Sequence, residues 1–283
     1  MLYRTLLSLL PLLLLPHPCF AQSASPAPQP GIQDNSFLIE EAYNQEEGVV
    51  QHISAFTHLW PSKTWAYTFT QEWPLGKYPR HQFSYTIPVV SSGEGFGTGI
   101  GDVALNYRYQ LVGNGSAKVA FAPRLSVLLP TGDYRRELGF GGTALQINLP
   151  LSVVVNRKLV THWNAGTTIV PSARNPAGDH AAAYGYNLGQ SFIWQIRPRF
   201  NAMLETVWTS AELVVAPGQT ARQNVLLVNP GIRWAYNFKN GLQIVPGIAV
   251  PIGVGPSRGE KGIFLYLSFE HPFSKSKEGK RKK

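Results

Sequence analysis

From Val49 onward, apolar residues recur at every second position in twelve successive runs, and no other feature of the sequence constrains its fold as strongly. In TGIGDVALNYRYQL (98–111), Val103, Leu105, Tyr107, Tyr109 and Leu111 share one face, and Asp102, Ala104, Asn106, Arg108 and Gln110 share the other. A period of two describes β-strands with one face in apolar and one in polar surroundings. The runs fall at approximately 49–58, 64–72, 81–91, 100–112, 116–130, 143–155, 159–171, 184–196, 200–210, 224–236, 242–251 and 262–273. Turn chemistry separates them, including GNGS after Val112, NRK after Val155, RPR after Ile196 and NFKNG after Tyr236.

The connections alternate in length. Those after runs four, six, eight and ten are short, whereas SSGEGFGTG, TGDYRRELGFGG, SARNPAGDHAAAYG, SAELVVAPGQTARQ and IGVGPSRGEKG, after runs three, five, seven, nine and eleven, are long and glycine-rich. Short turns on one rim and long loops on the other mark an outer-membrane barrel. The runs are also too long for a soluble sheet, where strands average about 5–6 residues, and suit the ~9–11 needed to cross a bilayer at barrel tilt. No later stretch resembles a spanning helix, which leaves a closed barrel as the membrane-crossing option. The expected fold is therefore all-β, a twelve-stranded antiparallel transmembrane barrel.

Carrying one parity through the runs gives an almost continuously apolar face: Leu125, Val127 and Leu129; Leu145, Ile147 and Leu149; Phe192, Trp194 and Ile196; Ile263, Leu265, Leu267 and Phe269. On that face Tyr107, Tyr109, Trp194, Trp234 and Tyr236 gather beside the short turns, as an interfacial girdle would. The opposite face is then the lumen. Its candidate solute-path residues are Asp102, Asn106, Arg108, Arg124, Gln146, Asn148, His162, Glu205, Arg233 and Glu270. Their charged members have two readings, a ladder paired across a narrow lumen or a basic strip of Arg108, Arg124 and Arg233 that guides anions.

The first 21 residues read as a cleaved signal peptide, with Arg4, the apolar stretch Leu6 to Leu15, and Ala21 at the cleavage point. Residues 22–48 form a Pro/Ser/Ala-rich leader followed by SFLIEEAYNQEEG, the most acidic piece of the chain, with one or two helical turns expected, Phe37, Leu38 and Tyr43 as contacts, and a place in the lumen or beneath it. The barrel takes 49–273, and 274–283 is a basic tail expected in the periplasm. That partition disposes of a nucleic-acid reading. Of the net charge of +9, Arg4 contributes one and the tail five, so the body is nearly balanced. Cys19, the single cysteine, lies in the signal, which removes disulfides and thiolate chemistry from the mature chain.

Motifs with chemistry are sparse. The alternate glycines of GEGFGTGIG match neither a dinucleotide fingerprint nor a P-loop, and no helix pattern follows. His52 and Ser54 stand two residues apart on one face and are the candidates for an outer-membrane lipid hydrolase, the rival enzymatic reading; AFTHLW follows where phospholipase barrels carry Asn-Gly. His162, His180 and His271 are scattered, so neither a metal nor another cofactor is expected.

The phrases GTGIGDVALNYRYQL, APRLSVLLPTGD, GFGGTALQINLPLS and WNAGTTI resemble the outer-membrane transporter family associated with the meta-pathway of phenol degradation, over roughly residues 49 to 273. The resemblance implies a β-barrel passing small compounds, hydrophobic or aromatic ones among them, across the outer membrane. It brings no ligand residues. Outer-membrane lipid and the barrel-assembly machinery are the expected partners, the latter through GIFLYLSFEHPF, which ends on Phe273 before the tail. The second rival is a non-conducting structural or adhesin barrel closed by the acidic segment.

Overall fold

The computed structural model describes residue 32, residues 34–76 and residues 78–273. The signal peptide, most of the leader and the basic tail therefore lie outside the described residues. Twelve antiparallel strands follow one another around a closed barrel. They are β1 (Val49–Leu59), β2 (Trp65–Leu75), β3 (Tyr78–Ser91), β4 (Thr98–Ile100 with Val103–Tyr109), β5 (Val119–Phe121 with Arg124–Leu129), β6 (Ala144–Asn148 with Leu151–Asn156), β7 (Leu159–Arg174), β8 (His180–Arg197), β9 (Phe200–Ala216), β10 (Gln219–Trp234, continued by Tyr236–Asn237), β11 (Gln243–Ala249 with Ile252–Gly253) and β12 (Gly262–Pro272). Each pairs with its sequence neighbour, and β12 closes the ring on β1 from Val49↔Pro272 to Leu59↔Gly262.

Three of the interrupted strands break at proline, which has no N–H to give the ladder. Pro123, Pro150 and Pro251 stand in the gaps of β5, β6 and β11. Their neighbours keep the sheet continuous, because the carbonyls of Pro123, Pro150 and Pro251 still accept bonds from Tyr109, Ala122 and Gly262.

The exterior is apolar. Leu105, Leu125, Leu145, Ile147, Trp194, Leu265 and Leu267 all point outward and are exposed, whereas Gln51, Asn106, Arg108, His162, Glu205 and Arg233 point inward and are buried. A soluble protein would invert this arrangement. Outward aromatics stand at both rims: Tyr107, Trp194 and Tyr236 beside the short turns, and Trp60, Tyr184 and Tyr186 toward the long loops. The one-sided girdle expected from the sequence is thus half of a two-girdle pattern.

The connections after β7 and β9 depart from expectation: most of SARNPAGDHAAAYG is paired strand, leaving residues 175–179 between Arg174 and His180. SAELVVAPGQTARQ is not a long loop but the tip of a hairpin, with Ala216↔Gln219 as its last pair and Gly218 turning at a φ of +68°. At 18 and 17 residues, β8 and β9 exceed the ~9–11 that a bilayer requires, so they continue past it on the long-loop side. Among the described residues no helix is long and apolar enough to cross a membrane, and the helical structure present is two short 3-10 turns.

Candidate functional site

The acidic segment before β1 lies inside the barrel. Its expected helical turns do not form; residues 34–47 run through the lumen as bends and extended backbone. The reason lies in where the backbone donors go. A helix would bond them internally, whereas here the wall offers acceptors: Glu205 Oε1 takes the N–H groups of Leu38 (2.9 Å) and Ile39 (3.3 Å), Asn164 Oδ1 takes Glu40 (2.9 Å), and Ser152 Oγ takes Ala42 (2.8 Å). Gln110 and Gln82 accept from Asn44 and Gln45 at 3.0 and 2.7 Å. The wall thus replaces the helix ladder.

Its carbonyls are held as closely. Arg108 donates to the carbonyls of Glu41 and Tyr43, each at 3.0 Å, and Arg233 donates to those of Asp34 and Asn35. Two carboxylates complete the anchorage. Glu40 receives Arg108 Nη1 at 3.1 Å, Arg124 Nε at 2.8 Å and the Asn148 amide at 2.9 Å. Asp34 accepts from the Gln51 amide at 2.6 Å, the Tyr266 hydroxyl at 2.7 Å and Ser268.

Apolar side chains of the segment fill notches made by glycine. A Cβ on Gly189 would stand 2.1 Å from Ile39, and one on Gly247 2.4 Å from Phe37, so both seats need a residue without a side chain. Gly231 borders the Phe37 seat in the same way. The Phe37 ring also packs against Phe264 and Tyr266, with centroids 5.3 and 5.5 Å apart. Burying an aromatic side chain of this kind contributes about 1.5–3 kcal/mol. The segment is therefore a plug with both polar and apolar seats.

Electrostatics within the plug are uneven. Burial would raise the Glu40 carboxyl, but Arg124 and Arg108 outweigh it and hold the group below the usual carboxylate range. The Glu41 carboxyl, unlike that of Glu40, forms no ion pair with the arginines near it. Burial, with the nearby Asp34 and Glu72 carboxylates, pushes it up to about 8 against the pull of Arg108 and Arg233. Asp34 is likewise raised, chiefly by burial.

Of the residues expected along a solute path, Arg108, Arg124, Asn148, Glu205 and Arg233 touch the plug directly. Asn106 and Gln146 orient Arg124 by accepting from it, and His162 bonds Ser152, the acceptor for Ala42. Glu270 pairs across the strands with Gln51 on the inner face. Asp102 is different: at the long-loop rim its two oxygens accept from Gly132 (2.9 Å) and Phe140 (2.7 Å), fixing the loop between β5 and β6. The arginines join wall and plug: Arg108 meets Glu72 across the wall (3.2 Å) and Arg124 meets Asn106 and Gln146 there, while Arg108 and Arg124 also bond Glu40 and Arg233 bonds the carbonyls of Asp34 and Asn35.

Reading the strands alone missed the plug's seats. Asp34, Glu40, Gln82, Gly189, Gly231 and Gly247 lie outside the expected solute path, although inward-facing glycines inside β8, β10 and β11 are a signal that another backbone or side chain approaches there. Above the plug, toward the long loops, a cavity of about 360 Å³ remains, bounded by Leu38, Ile39, Asn164, Thr168 and Asn187 with Phe140 near its top. The pair considered for hydrolysis is separated in its bonding: His52 faces His271, and Ser54 meets the Tyr67 hydroxyl at 3.2 Å.

A closed all-β barrel with an apolar exterior, a polar interior and a seated plug has the architecture of outer-membrane barrel proteins. Neither a sequence-family comparison nor a search of curated proteins matches the chain. Solved structures share its fold. An outer membrane channel from Pseudomonas putida F1 matches with a TM-score of 0.58 at 14% identity, over 81% of this chain and 97% of the other. The NanC porin matches with a TM-score of 0.50 at 10% identity, over 78% of this chain and 98% of the other.

Proposed function

We propose that the chain is an outer-membrane channel for small compounds, with the segment before β1 as its plug. The observation that carries this reading is the polar lumen, filled at mid-height by residues 34–47 and opening above them into the 360 Å³ cavity. A twelve-stranded ring lies between the ~8 strands whose interior side chains fill and the ~16 that leave an aqueous channel. Passage therefore needs the plug to move or thin. The two similar folds are those of proteins described as a channel and a porin, which supports transport.

The finer reading follows the resemblance to the transporter family of the phenol meta-pathway: hydrophobic and aromatic compounds are the solutes. The mixed lining of the cavity suits them, with Leu38 and Ile39 beside Asn164 and Asn187. In this reading the short-turn rim and the plug face the periplasm, the signal peptide is removed, lipid covers the exterior, and the assembly machinery receives β12.

Planar-bilayer conductance of the full chain and of a variant lacking residues 22–48, with liposome swelling across aromatic acids, sugars and alkanes, tests the proposal. The full chain should conduct weakly and the deletion steadily, with preference among solutes. The seated plug also favours a second reading, a structural barrel that never conducts. If neither chain passes ions or solutes, that second reading stands.

A further inference from the structure

We infer that His52 and His271 form a binding site for a divalent transition-metal cation on the outer face of the seam that closes the barrel. The two histidines are 219 residues apart, and their Nε2 atoms stand 3.2 Å from one another. They meet because β1 and β12 pair in a fixed register, Val50↔His271 and His52↔Phe269, which sets the two rings diagonally on one face. Both are half-buried at the short-turn rim. The rings lie 18° from parallel with centroids 5.3 Å apart, and Phe269 backs His52 at 4.8 Å. Packing on both sides restricts the rotamers, so the arrangement is held before any ligand arrives.

The spacing is that of a metal bite. Two imidazole nitrogens at about 2.0–2.1 Å from a tetrahedral cation are about 3.3 Å apart. In the metal-free protein one ring donates Nε2–H to the other; when a cation binds, that ring carries its proton on Nδ1 instead, so both Nε2 lone pairs face the metal. Imidazole suits zinc, nickel and copper rather than magnesium or calcium. Among the described residues no group of three or more His, Cys, Asp or Glu side chains is placed to hold a metal, so water supplies the remaining positions. The site is thus a two-point clamp. Its position gives it a consequence: the cation ties the first strand to the last and stabilises the closed ring, since it binds the folded protein and not the separated strands.

Thermal unfolding of the full chain in detergent, produced without a histidine tag and followed by heat-dependent gel migration, tests the site. With zinc or nickel chloride the transition should rise by several degrees, return to its starting value with EDTA, and stay unmoved by magnesium. His52→Gln and His271→Gln each keep a hydrogen-bonding side chain of similar reach and should fold, yet lose the metal-induced rise. An equal rise in either variant, or none in the unaltered chain at millimolar metal, overturns the proposal. Conductance plays no part in this readout, so its outcome is independent of the transport reading.

Discussion

Arg108 and Glu40 form an ion pair inside the lumen, Nη1 to Oε1 at 3.1 Å, joining β4 to the segment that leads directly into β1. The guanidinium is 2% exposed and also meets Glu72 and two carbonyls of the plug. A cation so placed is not free for solutes. It fastens the plug.

Arg108→Ala should therefore unseat residues 40–43 while leaving the barrel assembled, because it takes a cationic partner from Glu40 and Glu72 and the side-chain donor from the carbonyls of Glu41 and Tyr43. Removing one partner of a buried pair costs about 3–5 kcal/mol. Single-channel recording should show a rise in open probability of tenfold or more, with unchanged heat-dependent gel migration. Unchanged conductance would mean that the other seats suffice.

Gly189→Leu tests the apolar seat. The new side chain takes the place of Ile39, whose Cδ1 lies within 2.1 Å of where its Cβ would be. Protease should then cut between residues 34 and 47 in the folded barrel, where the unaltered chain resists. Gly247→Val should do the same through Phe37.

Seating should also depend on pH. In the released segment Glu41 ionises near its ordinary 4.5, but in the lumen it holds its proton to about 8. The seated form binds that proton more tightly, so this contribution is complete below the ordinary value and disappears as pH rises through about 8. Glu40 acts oppositely: its lowered pKa favours seating above 4.5 and the benefit is lost toward acid. Conductance should rise from about pH 6 to about pH 9, and Glu41→Gln should flatten that limb. A pH-independent unaltered chain would remove Glu41 from the account.

Leu105→Arg places a cation on the apolar exterior, where Leu105 pairs with Tyr85 and Val127. At the bilayer midplane this costs about 2–4 kcal/mol. Refolding into lipid vesicles should lose yield, whereas Leu105→Val should not. Equal yields would show that the position lies near the interface.

The strand count and the two faces were legible because both are local. A side chain's direction in a strand follows from its parity, so Leu105 and Arg108 sort to opposite sides whatever the rest of the chain does. Less of the candidate site was legible. The inward residues and the acidic segment as an occupant of the lumen were legible, but not which wall side chain meets which residue of it, since an extended segment bonded to wall side chains leaves no period of its own. The β9–β10 tip was misread for a related reason: Pro217 and Gly218 signal a turn, and nothing local says how far the pairing runs before it.

What the sequence determined by itself was an alternating chain that must close into a barrel with its apolar face outward. Tertiary structure alone decided that Asp34 meets Ser268, that Ile39 meets Gly189 and that His52 meets His271. Those meetings join residues 150 to 234 apart. They arise from ring closure and from the space left inside it, and periodicity over a dozen residues holds no record of either.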